Sequence, residues 1–185
     1  MAETPSTMVS LGSKAPDFEL KDVVSGQKMK RDDFKSNVAT VIMFICNHCP
    51  FVKHIHTKLA EVAKEYMQKG VKFAAINSND VENYPDDSPE KMKLEAQNLG
   101  YTFPYMFDES QDVAKAYNAA CTPDFFVYDS DFRLVYRGQF DDSRPGNHIE
   151  VTGRDLKEAI DDMIAGRPVD ENQKPSIGCN IKWKQ

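Results

Sequence analysis

A chain of 185 residues, 41% hydrophobic and 28% charged, has the composition of a globular protein with one sizeable core, since two full domains would each sit near the lower size limit. A formal charge of -6 with scattered basic residues excludes the footprint of a nucleic-acid binder and attraction to an anionic membrane, and no apolar stretch approaches the roughly 20 residues that span a bilayer. Small molecules or other proteins are the expected partners, and an N-terminus without a basic leader or an apolar segment predicts a cytoplasmic protein.

In chain order, DFEL and KMKRDDF flank Ser25-Gly26 and predict a small N-terminal hairpin. ATVIMFI (39–45) is short, β-branched and without alternation, the pattern of a strand covered on both faces. Val52, Ile55, Leu59, Val62 and Tyr66 then recur at helical spacing, Gly70 stops the helix, and VKFAAIN (71–77) is a second buried strand. Residues 39–77 therefore read as a βαβ unit with parallel strands. Within an insertion over 79–100, Ser88 caps a helix that starts at Pro89 and ends near Leu99. FPYMFD (103–108) is extended, and Ser110 caps a short helix through Ala114 and Tyr117. DFFVYD (124–129) pairs with FRLVYRGQF (132–140) as a hairpin around DSD. Thr152 with Asp155 opens a last helix carrying Leu156, Ile160 and Ile164, ended by Gly166. The extension 166–185 holds Ile177, Ile181 and Trp183, which predict that it packs on the body.

The stretch VIMFICNHCPFVKHIH (41–56) puts Cys46 and Cys49 where the first buried strand ends and its helix begins, the sheet edge at which α/β folds collect function. A thiol in the first turn of a helix is stabilised as thiolate by the macrodipole and by unpaired N–H groups, reaching a pKa of about 3.5 to 7.5. Cys46 is thus the candidate nucleophile and Cys49, one turn further on, the resolving thiol. Asn47 and His48 tune the couple, His48 by stabilising the thiolate if it faces inward rather than solvent, and Pro50 suits the early helix. Three readings stay open: a redox pair, a metal site of Cys46 and Cys49 with one or more of His48, His54 and His56, or two small core cysteines. The metal reading lacks a second ligand pair elsewhere in the sequence. His56 shares the apolar face of Val52 and Leu59 and reads as a core histidine, and His54 as a solvated one. Asn77, Ser78, Asn79 and Asp80 either line the same sheet edge or form a solvated loop. The loop 140–151 is longer than a link requires, so Arg144 and His148 are either partner contacts or a polar excursion.

With its CxxC, the helix behind it and the later CTPDFF, the sequence resembles the thioredoxin-like superfamily from about Gly12 to Ile164. The resemblance implies an α/β fold with a central mixed sheet flanked by helices, in a single domain over 1–185 with its core at about 12–165 and an extension over 166–185. It implies a cis Pro123 lying against the CxxC, with Thr122 offering its backbone to a substrate strand. APDFEL, the insertion before FPYMFDES, and PSIGCNIKW are similar to the peroxiredoxin-like branch of the alkyl hydroperoxide reductase and thiol-specific antioxidant group. The peroxiredoxin motif Pro-x-x-x-Thr/Ser-x-x-Cys falls on Ile42, Cys46 and Cys49, so its proline and hydroxyl are missing, while Arg154 falls near the place of a peroxiredoxin arginine. The buried acid of thioredoxin falls on Thr40. The implied activity is thiol-disulfide oxidoreduction on a protein or small-molecule disulfide, with a separate electron donor and neither cofactor nor metal. The alternatives are a thiol-dependent peroxidase with antioxidant activity, or a metal-binding module on the same fold using CNHC and nearby histidines. Cys121 reads as a buried small residue or a third thiol, and Cys179, in the tail, as an extra resolving thiol.

Overall fold

The computed structural model describes residues 3–185. After β1 (Glu3–Pro5) come the hairpin strands β2 (Glu19–Asp22) and β3 (Lys28–Lys30), then β4 (Thr40–Phe44), α1 (Pro50–Met67) and β5 (Lys72–Asn77). They are followed by α2 (Pro89–Leu99), β6 (Tyr105–Phe107), α3 (Asp112–Ala116), β7 (Cys121–Thr122) and β8 (Asp124–Tyr128). The chain continues through β9 (Leu134–Gly138), α4 (Arg154–Ala165) and β10 (Ile177–Asn180). Seven strands form the main sheet in the order β3-β2-β6-β5-β4-β8-β9, and a second sheet of three runs β1-β10-β7.

β4, β5 and β6 are parallel neighbours, whereas β8 joins β4 antiparallel, with Phe44 opposite Asp124. The βαβ unit and the flanking hairpins match the periodicity of the sequence. β4 reads as an unbroken apolar run because helices cover both of its faces. Val41, Met43 and Ile45 pack with Val52, Leu59 and Tyr66 of α1 and with Leu156 and Ile160 of α4. Ile42 and Phe44 point the other way, into a cluster with Phe18, Phe34, Tyr117 and Phe126. Burying side chains of this size stabilises the fold by about 1.5–3 kcal/mol each, which holds the carboxyl end of β4 rigidly under the two cysteines.

Ser88 caps α2 as its sequence predicts, its hydroxyl accepting from the Lys91 amide at 3.4 Å. Two other caps differ by one residue. Gln111 and Gly153, both in the left-handed conformation, occupy the N-cap positions of α3 and α4. Ser110 and Thr152 accept instead from the amides of Asp112 and Arg154. Gly153 is required there, since a Cβ would lie 2.7 Å from the Phe140 ring. The tail packs on the body as expected, with Ile181 buried at 1% exposure and strand pairing adding to its hold, while Trp183 remains 40% exposed with its ring near the Lys115 ammonium.

Candidate active site

Cys46 sits in the link between β4 and α1, not in the first turn of the helix, which corrects the placement expected from sequence. Cys49 is the N-cap of α1, with extended backbone, and Pro50 fills the first helical position. The positive end of α1 therefore acts on Cys49 rather than on Cys46. Both are buried, Cys46 at 3% exposure and Cys49 at 0%. The Cys49 sulfur lies 2.8 Å from the Cys179 sulfur and 3.3 Å from the Thr122 carbonyl oxygen. Cys46 Sγ is 3.3 Å from the Thr122 hydroxyl.

Burial pushes the Cys46 thiol well up, and its contact with Cys49 adds to the rise. Cys49 moves the other way, to about 5. A hydrogen bond from the Cys46 thiol outweighs burial, and the Cys179 thiol and the Val52 and Cys179 amides add to it. The thiols titrate as a coupled set, and the opposite directions of the two shifts favour negative charge on Cys49 over Cys46.

A second layer is organised by Asp87, a fully buried carboxylate in the short turn before α2. It accepts from the Asn47 amide at 2.7 Å, from Asn79 Nδ2 at 2.9 Å and from His48 Nδ1. Burial alone would raise Asp87, but the hydrogen bonds from His48, Asn79 and Asn47 bring it below the usual carboxylate value. His48 is raised in return, chiefly by its hydrogen bond to Asp87, and its ring stacks on Tyr84 at 5.4 Å. His48 therefore faces inward. Asn47 is fixed by the Tyr105 hydroxyl, 2.9 Å from Asn47 Oδ1, and by its own bond to the Asp86 carbonyl. Beside Asn47 and His48 opens a groove of about 370 Å³ that also involves Lys53, Asp86 and Glu95.

The segment Asn77 to Asp80 is buried rather than a solvated loop, and Asn79 ties Asp87 to the tail by accepting from the Lys182 amide at 2.8 Å. The peptide bond between Thr122 and Pro123 is cis. Cys179 of β10 is the antiparallel partner of Thr122, so the chain's own tail takes up one side of β7, the end strand of the small sheet. Cys121 is buried with its sulfur 3.6 Å from the Pro123 carbonyl oxygen, and burial pushes its pKa up.

Other candidates lie elsewhere. His54 is not solvated but lies 2.6 Å from the Ser143 hydroxyl, and His56 is not a core residue but sits half-buried beside Glu95. Arg144 braces its own loop through the carbonyls of Asp141 and Ser143, while His148 is exposed. Ile42 is core, and Arg154 pairs with Asp142 and Asp155. Thr40 bonds to the Phe34 carbonyl, so no carboxyl stands at that place. Two buried acids nearby escaped the sequence reading. Asp87 is hidden in an acidic run that looks like solvated loop. Asp124, just after Pro123, is pushed to about 7 by burial despite a hydrogen bond from the Ser6 hydroxyl at 2.8 Å. The metal-ligating atoms that do converge are those of Cys46, His48 and Asp87, all within 4.8 Å of one another; Cys49, His54 and His56 are outside that set.

A mixed sheet flanked by helices, two cysteines at the end of a central strand and a cis proline against them define a thioredoxin-like oxidoreductase. More particularly, the chain belongs to the redoxin family, whose model matches residues 10–156. It is 30% identical over 126 residues to the thiol-disulfide oxidoreductase ResA of Geobacillus kaustophilus, covering 68% of this chain and 67% of that one. Its structure is similar to that of an uncharacterized conserved protein from the same organism. The two are 60% identical with a TM-score of 0.98, over 100% of this chain and 97% of the other. A hypothetical protein of Sinorhizobium meliloti is 50% identical with a TM-score of 0.95, covering 98% of each chain. The thioredoxin domain of a Bacteroides vulgatus thiol-disulfide oxidoreductase, 16% identical with a TM-score of 0.62 over 82% of this chain and 99% of that one, shares the fold.

Proposed function

We propose that this chain is a thiol-disulfide oxidoreductase in which Cys46 attacks the substrate disulfide and Cys49 resolves the mixed disulfide. The observation that supports it best is geometric: Cys46 and Cys49 stand together at the carboxyl end of β4, both sulfurs 3.3 Å from Thr122, the residue before the cis Pro123. Cys46 is taken as the attacking atom because it precedes Asn47 and His48, which line the groove, while Cys49 is held behind it against Cys179. Its proton passes to Cys49 as its sulfur bonds one substrate sulfur. The other substrate sulfur leaves as thiolate and takes a proton from the His48 imidazolium. Cys49 then bonds Cys46, its proton departs with the second substrate thiol, and the protein is left with one Cys46–Cys49 disulfide. An external thiol donor restores the pair. The substrate is a disulfide of a protein or a small molecule.

The test is a redox titration in glutathione buffers with peptide mass spectrometry. A reversible Cys46–Cys49 disulfide is expected, Cys46→Ser should lose exchange, and Cys49→Ser should accumulate mixed disulfides on Cys46. Full turnover by the Cys46 variant would remove the assignment. A second reading, metal binding, is favoured by the converging Cys46, His48 and Asp87. One equivalent of zinc retained through purification, and lost in Asp87→Asn, would support it.

A further inference from the structure

We propose that Cys179 is a third redox cysteine, held by the C-terminal strand so that the oxidised protein exchanges between a Cys46–Cys49 and a Cys49–Cys179 disulfide. This inference rests on the dithiol reading above and extends it.

The first support is distance. Cys179 and Cys49 are separated by 130 positions in sequence, yet their sulfurs are 2.8 Å apart. A disulfide of ~2.05 Å needs them to close by under about 1 Å.

The second is the machinery that brings β10 in. Cys179 stands between Glu3 of β1 and Thr122 of β7, paired to both. On one side of it Ser176 donates its hydroxyl to the Pro123 carbonyl. On the other, the Lys182 amide donates to Asn79, the Lys182 carbonyl accepts from Asp80 N and from Gln111 Nε2, and the Lys184 amide donates to Gln111 Oε1. The approach is closest at Gly178, where a Cβ would come within 2.0 Å of the Thr122 carbonyl oxygen. Only glycine allows it, and the neighbour it delivers is the Cys179 sulfur. A tail needed only to cover the core would tolerate a wider spacing.

The step balances without an added oxidant. The Cys179 sulfur attacks Cys49 of the Cys46–Cys49 disulfide; the Cys49–Cys179 bond forms, the Cys46–Cys49 bond breaks, and the Cys179 proton ends on Cys46. The protein remains oxidised by two electrons with Cys46 restored as a thiol. Burial raises the Cys179 thiol to about 12 and its contact with Cys49 adds to the rise, while the hydrogen bond between the two sulfurs holds them aligned in the reduced protein.

The experiment is oxidation of the full chain with glutathione disulfide, acid quench, alkylation and peptide mapping. It is run on wild type and on the Cys46→Ser and Cys179→Ser variants. Wild type should yield the peptide of Cys49 linked to the tail peptide, with loss of one alkylatable thiol at Cys49 and one at Cys179, whereas Cys46→Ser, which lacks the attacking thiol and cannot form Cys46–Cys49, should yield no such species. In Cys179→Ser that species should vanish while the Cys46–Cys49 disulfide persists. If oxidised wild type shows only Cys46–Cys49, with Cys179 fully alkylated, the third-cysteine role is overturned. Failure of the underlying dithiol reading gives a different result, the absence of Cys46–Cys49 from the Cys179→Ser variant.

Discussion

Asp124→Asn tests whether the carboxyl beside Pro123 is as deeply desolvated as its surroundings imply. One of its oxygens accepts from Ser6, and the other, Oδ2, has no partner among the described residues. The folded state holds this group at about 7 against an ordinary 3.8. Because the folded value is the higher, the folded protein binds the proton more tightly, and the associated stability is fully present below about pH 4 and lost as pH rises through 7. At ~1.36 kcal/mol per pKa unit the whole loss is about 4 kcal/mol, of which about 2–3 kcal/mol falls between pH 5 and pH 8. Asparagine does not titrate. The stability of the variant relative to wild type should therefore rise by about 2–3 kcal/mol from pH 5 to pH 8, whatever its absolute value at either end. Urea unfolding of both proteins under reducing conditions reads this difference, and the titration of the cysteines, common to both, cancels. A difference that stays flat with pH would refute the reasoning and place water or an unseen donor at Oδ2.

The reduced protein should gain thiolate absorbance in the ultraviolet with a midpoint near 5 that disappears in Cys49→Ser; a midpoint near the ordinary thiol value of ~8.5 would contradict the charge on Cys49. Asp87→Asn should lower the titration midpoint of the His48 ring, followed by NMR, because the carboxylate that raises it is gone. Gly178→Ala should destabilise the protein by about 1–3 kcal/mol by overpacking against Thr122 and should speed alkylation of Cys179; unfolding curves and alkylation rates matching wild type would mean that β10 shifts at no cost.

The main sheet was legible because its signals are local. The apolar run of β4, the helical spacing of α1 and the Ser88-Pro89 start of α2 each lie within a few residues. The same runs placed Cys46 and Cys49 at the sheet edge, although Cys46 lies outside the first turn and the dipole falls on Cys49, the N-cap. The second sheet was not legible. It joins strands of two to four residues from the beginning, middle and end of the described chain, too short for any periodicity. Asp86 and Asp87 show the same limit at single-residue scale. They are adjacent and identical in type, yet one is exposed and paired with Lys91 while the other is buried under His48, a difference made by residues far away in sequence.

The small sheet also sets an order of events. Residues 3–5, 121–122 and 177–180 must meet before Cys179 reaches Cys49, a long-range closure of the kind that is slow compared with forming α1 and its neighbouring strands. Until the tail docks, Cys49 lacks the thiol and the amide that Cys179 contributes, and its acidity is correspondingly weaker. The chemistry of the CxxC is thus completed late in folding. On the dithiol reading proposed above, a newly made or partly unfolded chain lacks the Cys179 contacts, and the full environment of Cys49 becomes a property of the finished molecule.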